Sequence, residues 1–246
     1  MVKKGFGSII KFHEKKDKVI LLIHGFTSSP FILSEYARYL FDHGFSVYCL
    51  RLAGHGLKEE NIQSFFKTKA RDWEIMIENI YLDLTDSFDE VYVFGHSLGG
   101  LLALNLASRY PVAKTVASAP FLRYNKGTPT FLISLFHFLP VKFRRWKYDC
   151  SIETDLGKHS TQFVNLSIMN EMIRLQSRVR KRLSKVSSNT LCFLAKNDHI
   201  TEFNSHIGLI QKYPWKLIIL EKCFHMIHID CEKELFFEKS LEFFQN

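Results

Sequence analysis

The sequence predicts an α/β protein, a mostly parallel sheet with helices on both faces and a small helical cap inserted part-way along the chain. Three observations carry this. Short apolar runs rich in β-branched and aromatic residues alternate with stretches whose apolar residues recur at helical spacing, the pattern of repeated strand and helix units. The alternation stops at Pro120 and resumes near Thr190, which separates a core of residues 1–119 and 187–246 from a cap of residues 120–186. At 246 residues, with 46% hydrophobic and 24% charged, the chain is large and apolar enough to bury one sizeable core.

The elements follow in order. Phe6 to His13 and Val19 to His24 read as strands joined by the charged turn Glu14-Lys15-Lys16-Asp17-Lys18, since strand-forming runs are bounded here by turn residues. Ser29-Pro30 has the composition of a helix N-cap and first position, and Phe31, Leu33, Tyr36, Ala37, Leu40 and Phe41 give that helix an apolar face until Gly44 ends it. Phe45 to Leu52 is the third strand. Asp72 to Phe88 is a helix with Trp73, Met76, Ile77, Ile80 and Leu84 on one side. Val91 to Phe94 is a buried strand, a helix runs from Leu98 to Tyr110, and Ala113 to Ala119 is a strand broken by Pro120. Beyond the insertion come strand Thr190 to Ala195, helix Glu202 to Lys212, strand Lys216 to Leu220 and helix Cys231 to Phe244.

The stretch with most chemistry is Gly95-His96-Ser97-Leu98-Gly99-Gly100, placed where a strand passes directly into a helix. Such a junction needs a tight turn, and glycines on either side of the serine let the backbone bend there without Cβ collisions. Ser97 would then stand at the carboxyl edge of the sheet. A serine hydroxyl is a weak nucleophile, so it also needs a base and a group that orients the base. Loops at the carboxyl ends of later strands carry Asn197-Asp198-His199 and Cys223-Phe224-His225-Met226-Ile227-His228. Ser97, Asp198 and His225 fall in the order nucleophile, acid, histidine. His228, three positions on, is the competing base. His24, His55 and His96 are expected to be turn or packing residues that hold loop geometry, Asp230 to cap the last helix, and Glu153 and Asp155 to be solvated.

Composition excludes several classes. No glycine-rich G-x-G-x-x-G follows the first strand, and neither H-E-x-x-H nor C-x-x-C occurs, so the expectation is no nucleotide cofactor and no metal. Five cysteines without metal-like spacing suit a reduced cytoplasmic setting with mostly buried thiols. The start lacks the apolar segment of an export signal. The net charge of +8 would raise nucleic acid as a partner, but residues 120–185 hold thirteen Lys and Arg against four Asp and Glu. The excess belongs to the cap alone, and no nucleic-acid partner is expected.

Taken together, His24-Gly25-Phe26-Thr27-Ser28-Ser29-Pro30, Ala53-Gly54-His55-Gly56, Asp72-Trp73, the Ser97 motif, Asn197-Asp198 and His225-Met226-Ile227-His228-Ile229-Asp230 give a chain that resembles the α/β-hydrolase superfamily along essentially its whole length. Within it the chain resembles small bacterial carboxylesterases and monoacylglycerol-lipase-like enzymes. The resemblance implies Ser97 as nucleophile, His225 as general base and acid, and Asp198 as the carboxylate that orients it. It also implies an oxyanion hole formed by the backbone N–H groups of Phe26 and Leu98. Two positions depart from the pattern: Phe224 replaces a small residue before the histidine, and Ala53 replaces a proline.

The implied activity is hydrolysis of a small-molecule ester with short to medium acyl chains through an acyl-enzyme. Acyl transfer or thioester cleavage by the same triad is the alternative, and a non-catalytic ligand-binding hydrolase fold belongs to another class. In the cap, Phe121, Phe131, Leu132, Leu135, Phe136, Phe138, Leu139 and Phe143 precede Arg144, Arg145 and Lys147, and Arg174, Arg178, Arg180, Lys181, Arg182 and Lys185 form a second basic block. The aromatic face is expected to pack on the sheet edge beneath a solvated basic face. It could also line an acyl pocket, with the basic rim meeting an anionic lipid surface.

Overall fold

The computed structural model describes residues 7–14, 17–56, 62–124, 127–144 and 161–246. Phe6, Lys15, Lys16, Arg145, Lys147, Cys150, Glu153 and Asp155 lie outside the described residues. In chain order the elements are β1 (Ile9–Lys11), β2 (Lys18–Ile23), α1 (Ser34–Asp42), β3 (Ser46–Leu50), α2 (Ile62–Lys67), α3 (Ala70–Thr85), β4 (Glu90–His96), α4 (Leu98–Ala107), β5 (Lys114–Ser118), α5 (Thr130–Leu135), β6 (Lys142–Arg144), β7 (Phe163–Asn165), α6 (Leu166–Arg180), β8 (Asn189–Ala195), α7 (Phe203–Ile210), β9 (Lys216–Leu220) and α8 (Lys233–Gln245).

Seven strands form one sheet in the order β1-β3-β2-β4-β5-β8-β9. All neighbours are parallel except β1, which runs antiparallel to β3. The central strands are apolar on both faces, as a sheet covered on both sides requires. Alternate residues then serve opposite layers. Ile20, Leu22, Tyr92, Phe94, Val116 and Phe193 pack against Tyr36, Ala37 and Leu40 of α1 and Phe236 and Phe244 of α8. Val19, Leu21, Ile23, Val91, Val93 and Leu194 pack against Trp73 and Ile77 of α3, Leu101 of α4 and Leu175 of α6.

Several boundaries differ from expectation. Ser29-Pro30 opens a single 3-10 turn, Pro30–Leu33, with no side-chain cap, and the α-helix starts at Ser34. Phe31 is consequently exposed. The helix over Ile62–Lys67 was not legible in the periodicity, being one turn and a half of residues that bury Phe65 and Phe66. The cap is not purely helical either, because β6 and β7 pair antiparallel.

The largest correction concerns how the cap meets the core. Helix α6 is docked through apolar and polar contacts alike: Ile168, Met172, Leu175 and Val179 join the core. Buried Glu74 of α3 accepts hydrogen bonds from Arg178 at 2.7 Å and Asn105 at 3.1 Å, and Glu171 accepts the N–H of Ala70 at 3.0 Å. Arg178 of the second basic block thus helps to fix α6 while its side chain stays exposed. The aromatic segment packs on α6 with Ile133 buried, but leaves most of its other apolar residues in solvent. Phe121 is buried, but Phe131 is 75% and Phe138 72% exposed, and Leu132, Leu135, Phe136, Leu139 and Phe143 are exposed as well. They do not pack on the sheet edge.

Among the described glycines, those at the junction of β4 and α4 meet the closest obstacles. A Cβ on Gly95 would stand 2.0 Å from the Gly99 carbonyl oxygen, and a Cβ on Gly99 would stand 2.0 Å from the Ile23 carbonyl oxygen. Both obstacles are backbone and cannot swing aside. Gly208, inside α7, has nothing within 4 Å of that position. We therefore expect Gly99→Ala to destabilise the protein by about 3 kcal/mol through forced displacement of β2 from α4. Gly208→Ala should stabilise it by roughly 0.5–1 kcal/mol by favouring helix. Urea unfolding of the two variants checks both, and the opposite signs are the diagnostic.

Candidate active site

The site is assembled at the carboxyl edge of the sheet. Four described non-glycine residues have positive φ, and each follows the end of a different parallel strand: Thr27 at 60°, Ser97 at 54°, Ala119 at 40° and Glu202 at 49°. Such conformations cost on the order of 1–3 kcal/mol each and cluster where function demands them. Ser97, with ψ −114°, is held between β4 and the first turn of α4. Its N–H donates to Ser118 O at 2.9 Å, and its carbonyl accepts the N–H groups of Leu101 and Phe121 at 3.0 Å.

Backbone bonds continue the parallel ladder beyond the strand ends. Ala119 N–H donates to Phe193 O at 2.8 Å, Lys196 N–H to Leu220 O at 2.9 Å, and Asn197 N–H to Cys223 O at 3.2 Å. This chain of bonds links the Ser97 turn to the loops that carry Asp198 and His225. All three residues are buried, with Ser97 7%, Asp198 6% and His225 6% exposed.

His225 Nδ1 donates to Asp198 Oδ2 at 2.8 Å. The same carboxylate is saturated by its own turn: Oδ1 accepts the N–H groups of Ile200 and Thr201 at 2.7 and 2.8 Å, and Oδ2 accepts the Thr201 hydroxyl at 2.5 Å. Burial pushes the Asp198 carboxyl up, but the His225 charge and the hydrogen bonds from His225 and Thr201 outweigh it and hold the group down at about 2. The loop of His225 is pinned by two further carboxylates. Asp230 accepts the N–H groups of Phe224 at 2.7 Å and Cys231 at 2.8 Å, and Glu232 accepts those of Lys222 at 2.7 Å and Cys223 at 3.0 Å. Asp230 thus braces this loop instead of capping the last helix, which starts at Lys233 with Glu232 as its N-cap.

The competing base is placed differently. Neither ring nitrogen of buried His228 has a hydrogen-bond partner among the described residues. Burial and then the His225 charge lower its pKa to about 3, so it stays neutral and has no acid to orient it. Its ring lies edge-on to His96, 4.5 Å between centroids, and His96 lies 4.9 Å from His225. His24 and His55 hold turns, while His96 packs at the end of β4 with Nδ1 3.3 Å from the Ser118 hydroxyl. His24 Nε2 accepts the Leu52 N–H at 3.1 Å, which makes Nδ1 the donor to Gly25 O at 2.8 Å. His55 Nδ1 lies 3.1 Å from Ala53 O. His206 escaped sequence reasoning because nothing in α7's periodicity marks it. Its Nε2 accepts the N–H groups of Leu122 and Arg123 at 3.2 Å and fixes the start of the cap.

Phe26 and Leu98 flank Ser97. A Cβ on Gly25 would lie 3.4 Å from Ser97 Cβ, so the Gly25-Phe26-Thr27 turn is pressed directly against the serine. Leu98 is the first residue of α4, where an N–H has no intrahelical acceptor. Phe224 turns its ring toward His199, with 5.6 Å between centroids.

The sequence profile of the family serine aminopeptidase, S33 matches residues 14–232. The chain belongs to this family. It is 24% identical over 238 residues to a thermostable monoacylglycerol lipase of Bacillus sp. (strain H-257), covering 92% of this chain and 89% of that one. It is also 24% identical over 235 residues to a carboxylesterase of Bacillus subtilis (strain 168), covering 93% of each. Among solved structures, that of the metagenome-derived lipolytic enzymes LipS and LipT superposes with a TM-score of 0.87 at 23% identity, covering 100% of this chain and 99% of that one. The fold is the α/β-hydrolase fold.

The depressed Asp198 carboxyl has a consequence for stability. Between its ordinary value of 3.8 and about 2, the unfolded chain takes up a proton that the folded chain refuses. Stability from this group is complete above pH 4 and is lost as pH falls toward 2, on the order of 2 kcal/mol in all. Denaturant unfolding at pH 5 and pH 2.5 should show the gap between wild type and Asp198→Asn shrinking at the lower pH.

Proposed function

We propose that this hydrolase cleaves carboxylic esters of small, amphiphilic molecules through an acyl-enzyme on Ser97. The observation that carries the reading is the Asp198–His225 pair, buried and aligned at 2.8 Å, on the same sheet edge as a serine in a strained strand-to-helix turn. With Nδ1 donating to Asp198, His225 keeps Nε2 as the acceptor that takes the Ser97 proton when Oγ attacks the carbonyl. It returns that proton to the departing alcohol, and water then repeats the cycle to release the acid. The N–H groups of Phe26 and Leu98 are suited to hold the oxyanion, because one is pressed against Ser97 by the Gly25 turn and the other follows it at the helix start.

The bonds attacked are esters rather than peptides on two supports. The lipase and carboxylesterase relatives match nearly the whole chain. The exposed Phe131, Phe136 and Phe138 lie in the segment with the basic excess, a combination suited to an acyl chain arriving from an anionic lipid surface. No helix among the described residues is long and apolar enough to cross a membrane, so such contact would be peripheral.

Steady-state kinetics test this. Nitrophenyl esters of two to ten acyl carbons should be hydrolysed with kcat/KM rising by up to about fourfold per added CH₂, following about 0.8 kcal/mol for each one buried, and aminoacyl nitroanilides should be poor substrates. Faster anilide than ester cleavage would assign the site to peptides. Ser97→Ala and His225→Ala should each lower kcat by at least about a thousandfold, with the double variant little worse than either single one, because the residues work as a unit. His228→Ala should retain most of the activity.

A further inference from the structure

Outside the triad, the described residues bring one set of metal-ligating atoms together, two soft sulfurs and one hard oxygen. Cys223 Sγ, Cys231 Sγ and a carboxylate oxygen of Glu232 all lie within 4.8 Å of one another. The spacing in sequence gives no hint of this. The loop does it, because Glu232 folds back to accept the N–H groups of Lys222 and Cys223, and Asp230 accepts those of Phe224 and Cys231. Cys223 is buried and Cys231 is exposed, so one thiol is fixed in the core while the other faces an open approach.

We propose that Cys223, Cys231 and Glu232 form a binding site for one soft divalent cation of the zinc class, at the base of the loop that carries His225. Ligand atoms around tetrahedral zinc sit at about 2.3 Å for sulfur and about 2.0–2.2 Å for oxygen, which spaces them roughly 3.5–3.8 Å apart. The observed atoms, within 4.8 Å of one another, need to close by no more than about 1.3 Å. The charge also fits. Glu232 lies among the ligand atoms and fully buried Asp230 accepts the Cys231 N–H, and a divalent cation entering there displaces one proton from each thiol and binds two thiolates and one carboxylate. No electron transfer is involved. A disulfide would instead require the sulfurs to approach to about 2.0 Å, a far larger movement of a loop already held by four backbone bonds to carboxylates. Bound metal would tie together the two ends of the His225 loop, leaving a fourth position to water on the Cys231 side.

The test uses the full chain, fully reduced and treated with a chelator, and titrated with cobalt(II). We expect one equivalent to bind with the near-ultraviolet charge-transfer absorption of cobalt–thiolate bonds, to be displaced by zinc, and to raise the melting temperature. Cys231→Ser, at an exposed position, should bind at least tenfold more weakly and lose about half of that absorption, and Glu232→Gln should weaken binding without removing the band. Ser97→Ala should bind cobalt like the wild type, which separates this site from the esterase reading on which it does not depend. No uptake by the reduced protein, or uptake unchanged in Cys231→Ser, overturns the proposal. A loss of two hydrogens in mass with no cobalt uptake by the reduced form assigns the pair to a disulfide instead.

Discussion

Everything at this site depends on how closely α4 approaches β2 and β4. Ser97 can hold φ 54° only because Gly95 and Gly99 leave no atoms where the two backbones meet, 2.0 Å being the distance at which any side chain would strike a carbonyl oxygen. The strain in that one residue, on the order of 1–3 kcal/mol, is offset by a fully buried helix. Every residue of α4 is buried, and Leu98, Leu101, Leu102 and Leu104 belong to the core. The serine is therefore presented by a helix buried along its whole length, and the cost of its geometry falls on the core.

The acid and the base are held by a different kind of force. Asp198 and His225 stand on loops, and loops are positioned here by carboxylates that accept backbone N–H groups. Asp198 organises its own turn, while Asp230 and Glu232 fasten the His225 loop. Charge-assisted bonds of this kind are stronger than neutral ones, and burial makes leaving any of them unmade expensive. A row of buried, neutral histidines completes the edge: burial lowers His24 and His206 to about 4, and His55 and His96 lie well below the ordinary range. These rings bond or pack as uncharged groups, whereas His225 has a carboxylate partner.

The sheet, its parallel order and the strand-to-helix position of Ser97 were legible because each rests on local pattern: apolar runs such as Val91 to Phe94, and glycines at fixed offsets. Asp198 and His225 were legible as candidates because chain order and strand ends put both on loops at the edge that carries Ser97. What escaped is set by tertiary contact. Phe131 and Phe138 have the composition of core residues, yet they stay exposed while their segment, with Ile133 buried, packs on α6, and α6 in turn is fixed to the core through Glu74 and Glu171. Periodicity cannot tell an apolar face that finds a partner from one that does not. Likewise Asp230 precedes a helix and so reads as a cap, but two N–H groups of the His225 loop claim its oxygens first. The meeting of Cys223, Cys231 and Glu232 arises from the same loop closure, which no spacing rule encodes.

The account's central claim is that the Ser97 hydroxyl is a nucleophile activated by the buried Asp198–His225 pair. The most direct measurement is covalent trapping with a fluorophosphonate, read by intact-protein and peptide mass spectrometry. The account predicts a single adduct on Ser97, absent in Ser97→Ala and formed far more slowly in His225→Ala. An unlabelled wild-type protein, or an adduct that persists at another residue when Ser97 is replaced, would contradict it.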